Sequence, residues 1–179
     1  PGLWLAATLM VQFGMRPVDA AALRWRDFES RPDGNLTLRY VPSKTRVSTS
    51  RPRTVRWPVD KVLFARMRAA GAAEHVLPGG SQAERYALYV RELNARMRGI
   101  GWNRERWAKA CYELRKMCID EVYQRYGLER AVQISGDNPD TVRDYYSDPN
   151  CDTLAPVDLA KQEGAGTIPA PEVAPLSKQ

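Results

Sequence analysis

Arg16 stands at the entrance of a predicted helix, where the helix dipole disfavours a cation and where Ser, Thr, Asp or Asn would ordinarily cap. A guanidinium beside the positive end of a helix converges with it on an anion, so the chemistry open to it is phosphate capture. The plainer alternative is an internal pair with Asp19 or Asp27. Arg115 is the second candidate, on a predicted helix between Leu114 and Met117 and beside Lys116. Its stem is expected to be partly buried, and a partly buried Arg needs an anionic partner. Glu113 and Asp120 are the local choices for that partner, and a ligand is the other. Tyr146 offers a phenol near the end of the folded region. With a pKa of about 10, it is a poor nucleophile until cations stabilise its oxyanion. Tyr145 is its rival, because neighbours on a helix point about 100° apart and one alone can face a given cleft. The plain alternative for either is an aromatic at the surface or the core edge.

The charge pattern gives these residues a context. The 179-residue chain has a net charge of +6, with 25 Lys and Arg against 17 Asp and Glu in residues 1–150. Residues 151–179 reverse the sign, with two Lys against four acids. No acidic residue lies between Asp33 and Asp60, while Arg39, Lys44, Arg46, Arg51, Arg53 and Arg56 fall inside. Such a block suits a polyanion, most simply a nucleic-acid backbone, although a solvated basic hairpin has the same composition. Cys111, Cys118 and Cys151 lack metal-ligand spacing and read as reduced thiols in a cytosolic setting. The single histidine, His75, excludes a His-rich metal site, and neither metal nor cofactor is expected. The apolar stretch Leu3–Phe13 is broken by Thr8 and Gln12 and falls short of the roughly 20 residues a membrane span needs. It carries no signal-peptide features. Composition excludes collagen, a disulfide mini-scaffold and a fully disordered chain.

The elements that must position these groups can be read from periodicity and punctuation. Trp4, Leu5, Leu9, Met10 and Phe13 predict a helix apolar nearly all round, hence central, with Gly14 as its stop. Pro17 opens the next helix, which runs to Leu23, and Asp27 closes that unit. After the turn Asp33-Gly34-Asn35, alternation predicts a strand over Leu36–Tyr40 and a second over Thr54–Trp57. The two form a small antiparallel sheet whose connecting loop holds Lys44. Helices are then expected over Val62–Ala70, Ala83–Met97, Cys111–Tyr126 and Leu128–Ile134. A last helix is capped at Asn138, begins at Pro139 and carries Tyr145 and Tyr146. The expected class is mainly α with a small antiparallel β-sheet (α+β). Residues 1–150 form one domain, and 151–179, rich in Pro, Gly and Ala, form a flexible tail with a short amphipathic piece near Leu154–Ala160. Because the chain opens on Pro1 directly in an apolar helix, an upstream domain is expected.

In order along the chain, these features resemble a known family. Gly14-Met15-Arg16-Pro17, followed by Leu23, Trp25 and Asp27 in a Leu-x-Trp-x-Asp run, resembles the first signature box of the tyrosine recombinases (phage integrases and Xer-type enzymes). Ser43-Lys44-Thr45 looks like the family's Lys-Thr motif in a β-hairpin. Tyr112-Glu113-Leu114-Arg115-Lys116 resembles the second box, His-x-Leu-Arg followed by His or Lys. Ser135-Gly136-Asp137 stands where Leu-Gly-His is usual, and Tyr146 falls ten residues after Gly136, as the family's nucleophile does. The resemblance covers residues 3–148.

The resemblance implies a DNA breaking-rejoining catalytic domain that acts by metal-free transesterification in site-specific recombination or integration. Arg16 and Arg115 would clamp one phosphodiester, and Tyr146 would attack phosphorus to give a 3′-phosphotyrosine. Lys44 would protonate the departing 5′-oxygen, with Tyr112 and Lys116 assisting. Arg39, Arg46, Arg51 and Arg53 would hold the DNA backbone. The implied partners are double-stranded DNA and further copies of the chain in a tetrameric synapse, with no membrane. The implied location is cytoplasmic, on the nucleoid when bound. A helical DNA-clamping domain would precede this one, and Asp152–Ala160 would dock on a neighbouring protomer. Two positions depart from the family pattern. Tyr112 replaces a histidine but can still donate a hydrogen bond to a phosphate oxygen. Asp137 would repel the phosphate unless it turns away to cap the helix beginning at Pro139. Two alternatives therefore stand beside the enzyme: a catalytically silent DNA-binding relative, and an unrelated basic helical interaction module.

Overall fold

A computed structural model of the chain describes residues 1–44, 54–101 and 110–146, with only the backbone of Tyr145 and Tyr146. Thr45, Arg46, Arg51, Arg53, Cys151 and the whole of 151–179, including the Leu154–Ala160 piece, lie outside the described residues.

Helix α1 (Gly2–Phe13) buries Leu5, Ala6, Leu9, Met10 and Phe13 and packs against four other helices. It is not buried all round, as its composition suggested. Trp4 is 38% exposed, and the guanidinium of Arg66 covers its ring at 5.5 Å. Gly14 ends the helix in the left-handed region (φ 58°). A Cβ there would sit 3.0 Å from Ile119 Cδ1 and 3.3 Å from Cys118 Sγ, so both the backbone and the space favour glycine. Gly14→Ala should lower stability by about 1–3 kcal/mol, read as a lower urea midpoint with an unchanged slope.

Helix α2 (Pro17–Ala22) starts at Pro17 as predicted and ends one residue before Leu23. A 3-10 turn at Trp25–Asp27 comes next. Here the Leu-x-Trp-x-Asp run acts structurally. Leu23 and Trp25 are buried, Trp25 Nε1 donates to the Ala72 carbonyl at 2.7 Å, and Asp27 Oδ2 accepts from the Arg24 amide at 2.8 Å. The turn leads into strand β1 (Phe28–Ser30), which the sequence pattern does not announce. With β2 (Leu36–Tyr40) and β3 (Val55–Val59) it forms a three-stranded antiparallel sheet with β2 in the centre. Phe28 and Trp57 flank the fully buried Leu38 in register. Pro58 sits on edge strand β3, where a missing amide donor is tolerated.

Helices α3 (Lys61–Ala70) and α4 (Gln82–Gly99) begin at side-chain caps. Asp60 accepts from the Leu63 amide at 2.7 Å, and Ser81 and Glu84 form a reciprocal capping box. Buried Arg85 of α4 donates to the Ala21 carbonyl at 2.8 Å and to Gly80, tying α4 to the end of α2. Helix α5 (Tyr112–Ser135) is broken at Gly127 (φ 80°), which divides it into the two expected segments. Helix α6 runs from Pro139 to Tyr146, and Asn138 Oδ1 accepts from the Thr141 amide at 2.6 Å. The result is a mostly helical α+β fold with a small antiparallel sheet, as expected. Its main core centres on α1, and a second cluster joins Ile119, Val122, Ala131 and Ile134 of α5 to Val142 of α6. Among the described residues no helix is long and apolar enough to cross a membrane.

Candidate anion-binding site

Arg16 holds the N-cap position of α2 with the extended backbone usual there (φ −69°, ψ 147°), but its side chain, which has no acceptor, makes no capping hydrogen bond. Its Nη2 donates to Asp137 Oδ1 at 2.8 Å across 121 positions of sequence. The pairing expected with Asp19 or Asp27 is therefore replaced by a long-range one. Arg115 lies on α5 between Leu114 of the main core and Ile119 of the second cluster, and its side chain is 2% exposed. Its guanidinium donates to the carbonyls of Gly14 and Ser135, the latter at 2.7 Å, and to Asp137 Oδ2 at 3.1 Å. Those three acceptors take the place of Glu113 and Asp120.

Lys44 reaches the same carboxylate. Its Nζ lies 2.9 Å from Asp137 Oδ1. Its approach is fixed two elements away, because buried Asp19 on α2 accepts the Ser43 amide at 2.8 Å and draws the end of β2 toward Arg16. Asp19 is thus a positioning residue, not the partner of Arg16 that its place in the sequence suggests. Tyr40, at the end of β2, belongs to the same neighbourhood, which strand alternation alone does not reveal. Burial pushes its phenol pKa above the ordinary value, and the phenol lies close enough to feel the charges of Arg115, Asp19 and Arg16.

Asp137 is the main correction. It does not turn away to cap α6, since Asn138 fills that role, and its carboxylate points into the guanidinium pair with 7% exposure. Gly136 makes this turn possible by ending α5 in the left-handed region (φ 66°), and the Asp137 amide donates to Ser135 Oγ at 3.0 Å. Burial alone would raise its carboxyl pKa. The Lys44 hydrogen bond and the charges of Arg16, Arg115 and Lys44 outweigh that and hold it below the usual value. Asp137 is therefore ionised at neutral pH.

Three cations thus meet one carboxylate, and the match is incomplete. Arg16 Nη1 is buried with no hydrogen-bond partner, a deficit worth about 1–3 kcal/mol for a buried donor. A carboxylate presents two oxygens in one plane, so an anion with more oxygens could serve donors that Asp137 leaves unserved.

The remaining candidates divide. Tyr112 lies one turn before Arg115 on α5, half-buried against the main core, whereas Lys116, also half-buried, follows Arg115 directly and points about 100° away from it. Arg39 is not drawn to the cluster. It is exposed on β2 and pairs with Glu29 at 3.3 Å. Tyr145 and Tyr146 are the last two residues of α6, the helix that begins two residues after Asp137. Among the described residues no group of three or more His, Cys, Asp or Glu is placed to hold a metal ion.

No protein-family model, curated protein or solved structure matches the chain.

Proposed function

We propose that this chain is a DNA breaking-rejoining domain of the tyrosine-recombinase type, acting in site-specific recombination or integration. One observation carries the reading: Arg16, Lys44 and Arg115, from three separate segments, converge within 3.1 Å of the oxygens of one anion. A helix entrance, a turn after a strand and a buried helix face have no local reason to share an acceptor. A phosphodiester gives them one.

In this mechanism Arg16 and Arg115 hold the non-bridging oxygens and neutralise the charge that grows on them in the pentavalent transition state. The Tyr146 oxygen releases its phenol proton to solvent and bonds to phosphorus as the bond to the 5′-oxygen breaks, and Lys44 passes a proton to that oxygen. The phosphotyrosine keeps the bond energy for rejoining, so no external energy source is required. Tyr112 and Lys116 orient the phosphate and handle protons. Arg39, with Arg46, Arg51 and Arg53 outside the described residues, contacts the backbone of double-stranded DNA, and further copies of the chain complete a synapse.

The second reading, a silent DNA-binding relative, is favoured by Asp137 itself, which puts a negative charge at the centre of the clamp. A suicide duplex with a nick beside the cleavage position separates the two. The expected result on a denaturing gel is a covalent protein–DNA adduct that persists in Tyr145→Phe and disappears in Tyr146→Phe. Binding without any adduct removes the enzyme and supports the silent relative. Failure to bind DNA at all removes both.

A further inference from the structure

We infer that Asp137 is a built-in occupant of an oxyanion seat: its carboxylate fills the place where Arg16, Lys44 and Arg115 take up a phosphate or phosphodiester, which must displace it to bind. The identity of that ligand as a DNA phosphodiester rests on the recombinase reading, whereas the displacement itself does not.

Donors and acceptors in the seat do not balance. Arg16 Nη2 and Lys44 Nζ share Oδ1, Arg115 Nη2 takes Oδ2, and the buried Arg16 Nη1 is left without an acceptor. A tetrahedral oxyanion in the same seat brings oxygens out of the carboxylate plane, where that donor can be served. Charge points the same way: Asp19 is a second carboxylate in the neighbourhood, yet three cations against two carboxylates leave one net positive charge, and the cluster stays attractive to a further anion.

Displacement requires the Asp137 side chain to leave without dismantling helix α6. Asn138 caps α6 through the Thr141 amide, so the carboxylate of Asp137 is not needed to start that helix. Gly136, on its other side, already adopts φ 66°, a backbone region glycine enters and leaves at little cost. Lys44 is also the most exposed of the three cations, at 57%, so the carboxylate has a way out on that side.

Occupancy then sets affinity. A neutral side chain would be a weak rival to a phosphate, whereas an ionised carboxylate is a direct one. If Asp137 holds the seat in nine molecules of ten, the apparent affinity for an external anion falls about tenfold.

The test is binding of inorganic phosphate and of a duplex oligonucleotide to the full chain, compared among the parent, Asp137→Asn and Asp137→Ala. Asp140→Asn serves as control, because it removes the same charge from an exposed site outside the cluster. The expected result is about tenfold tighter binding of both ligands to Asp137→Asn, with less than a twofold change in Asp140→Asn. Phosphate should also raise the thermal midpoint of Asp137→Ala more than that of the parent, and adding Arg16→Ala should erase the gain.

Equal affinities in parent and Asp137→Asn overturn the inference, as does an equal gain in Asp140→Asn. If Asp137→Ala folds only in phosphate, that dependence supports the inference. If neither Asp137 variant folds even in phosphate, the side chain is structural and the inference falls. A gain for phosphate but not for DNA supports the seat and identifies its ligand as a free phosphate. An adduct at Tyr146 with no affinity gain keeps the recombinase reading and removes this role for Asp137.

Discussion

Arg115→Met is expected to destabilise the fold by about 3–5 kcal/mol, the largest effect of any single change at the site. The side chain is 2% exposed, and its guanidinium satisfies the Gly14 and Ser135 carbonyls and one oxygen of Asp137. Met fills much of the volume but leaves both carbonyls buried without a donor. Hydrogen bonds from a charged donor contribute about 1.5–3 kcal/mol each, so losing several approaches the whole margin of about 5–15 kcal/mol that a domain has. Arg115→Lys restores the charge without the fork, because one compact ammonium cannot reach all the acceptors spread around the edge of a planar guanidinium. It should recover less than half of the loss. Urea unfolding of the three proteins checks both statements. A parent-like midpoint for Arg115→Met would show that the two carbonyls find other donors.

Arg16→Ala is expected to act on function rather than on the fold. Its removal leaves Asp137 held by Lys44 and Arg115, and it takes away a buried nitrogen that had no partner. The unfolding free energy should therefore change by less than about 1 kcal/mol. Single-turnover cleavage of the suicide duplex should nevertheless fall about 10²–10³-fold, the usual effect of losing one donor to a developing oxyanion. Cleavage at the parent rate would remove Arg16 from the clamp. A loss of stability as large as that of Arg115→Met would make Arg16 a structural residue.

Much of this arrangement was legible in the sequence because it is written in local rules. Pro17 and Gly14 mark helix ends by backbone preference, Asn138 marks one by its capping side chain, and Arg16 announced itself by breaking a capping rule. Strand β1 was not legible, because three residues are too few for a period and its pairing partner lies beyond the Asp33-Gly34-Asn35 turn. The exposure of Trp4 could not be read from α1 either. Which side of an apolar helix faces solvent depends on where its neighbours dock, and Arg66 comes from another helix. The partners of Arg16 and Arg115 failed for the same reason. Acids nearby in sequence were the natural candidates, yet the acceptor lies 121 and 22 positions away, set by how α5 ends and α6 begins. Asp137 looked like a cap because Asp-Asn-Pro-Asp holds more than one suitable residue, and composition cannot decide which of them turns inward.

The three cations are seated with unequal firmness, at 2%, 12% and 57% exposure for Arg115, Arg16 and Lys44. The cluster therefore has a floor and a threshold. Arg115 is braced by main-chain carbonyls on the floor, and Lys44 stands at the threshold, where an incoming anion meets it first. Dissolved salt screens the outer charge far more than the inner pair. Ionic strength should thus govern how quickly an anion arrives and bear much less on how it is gripped once inside.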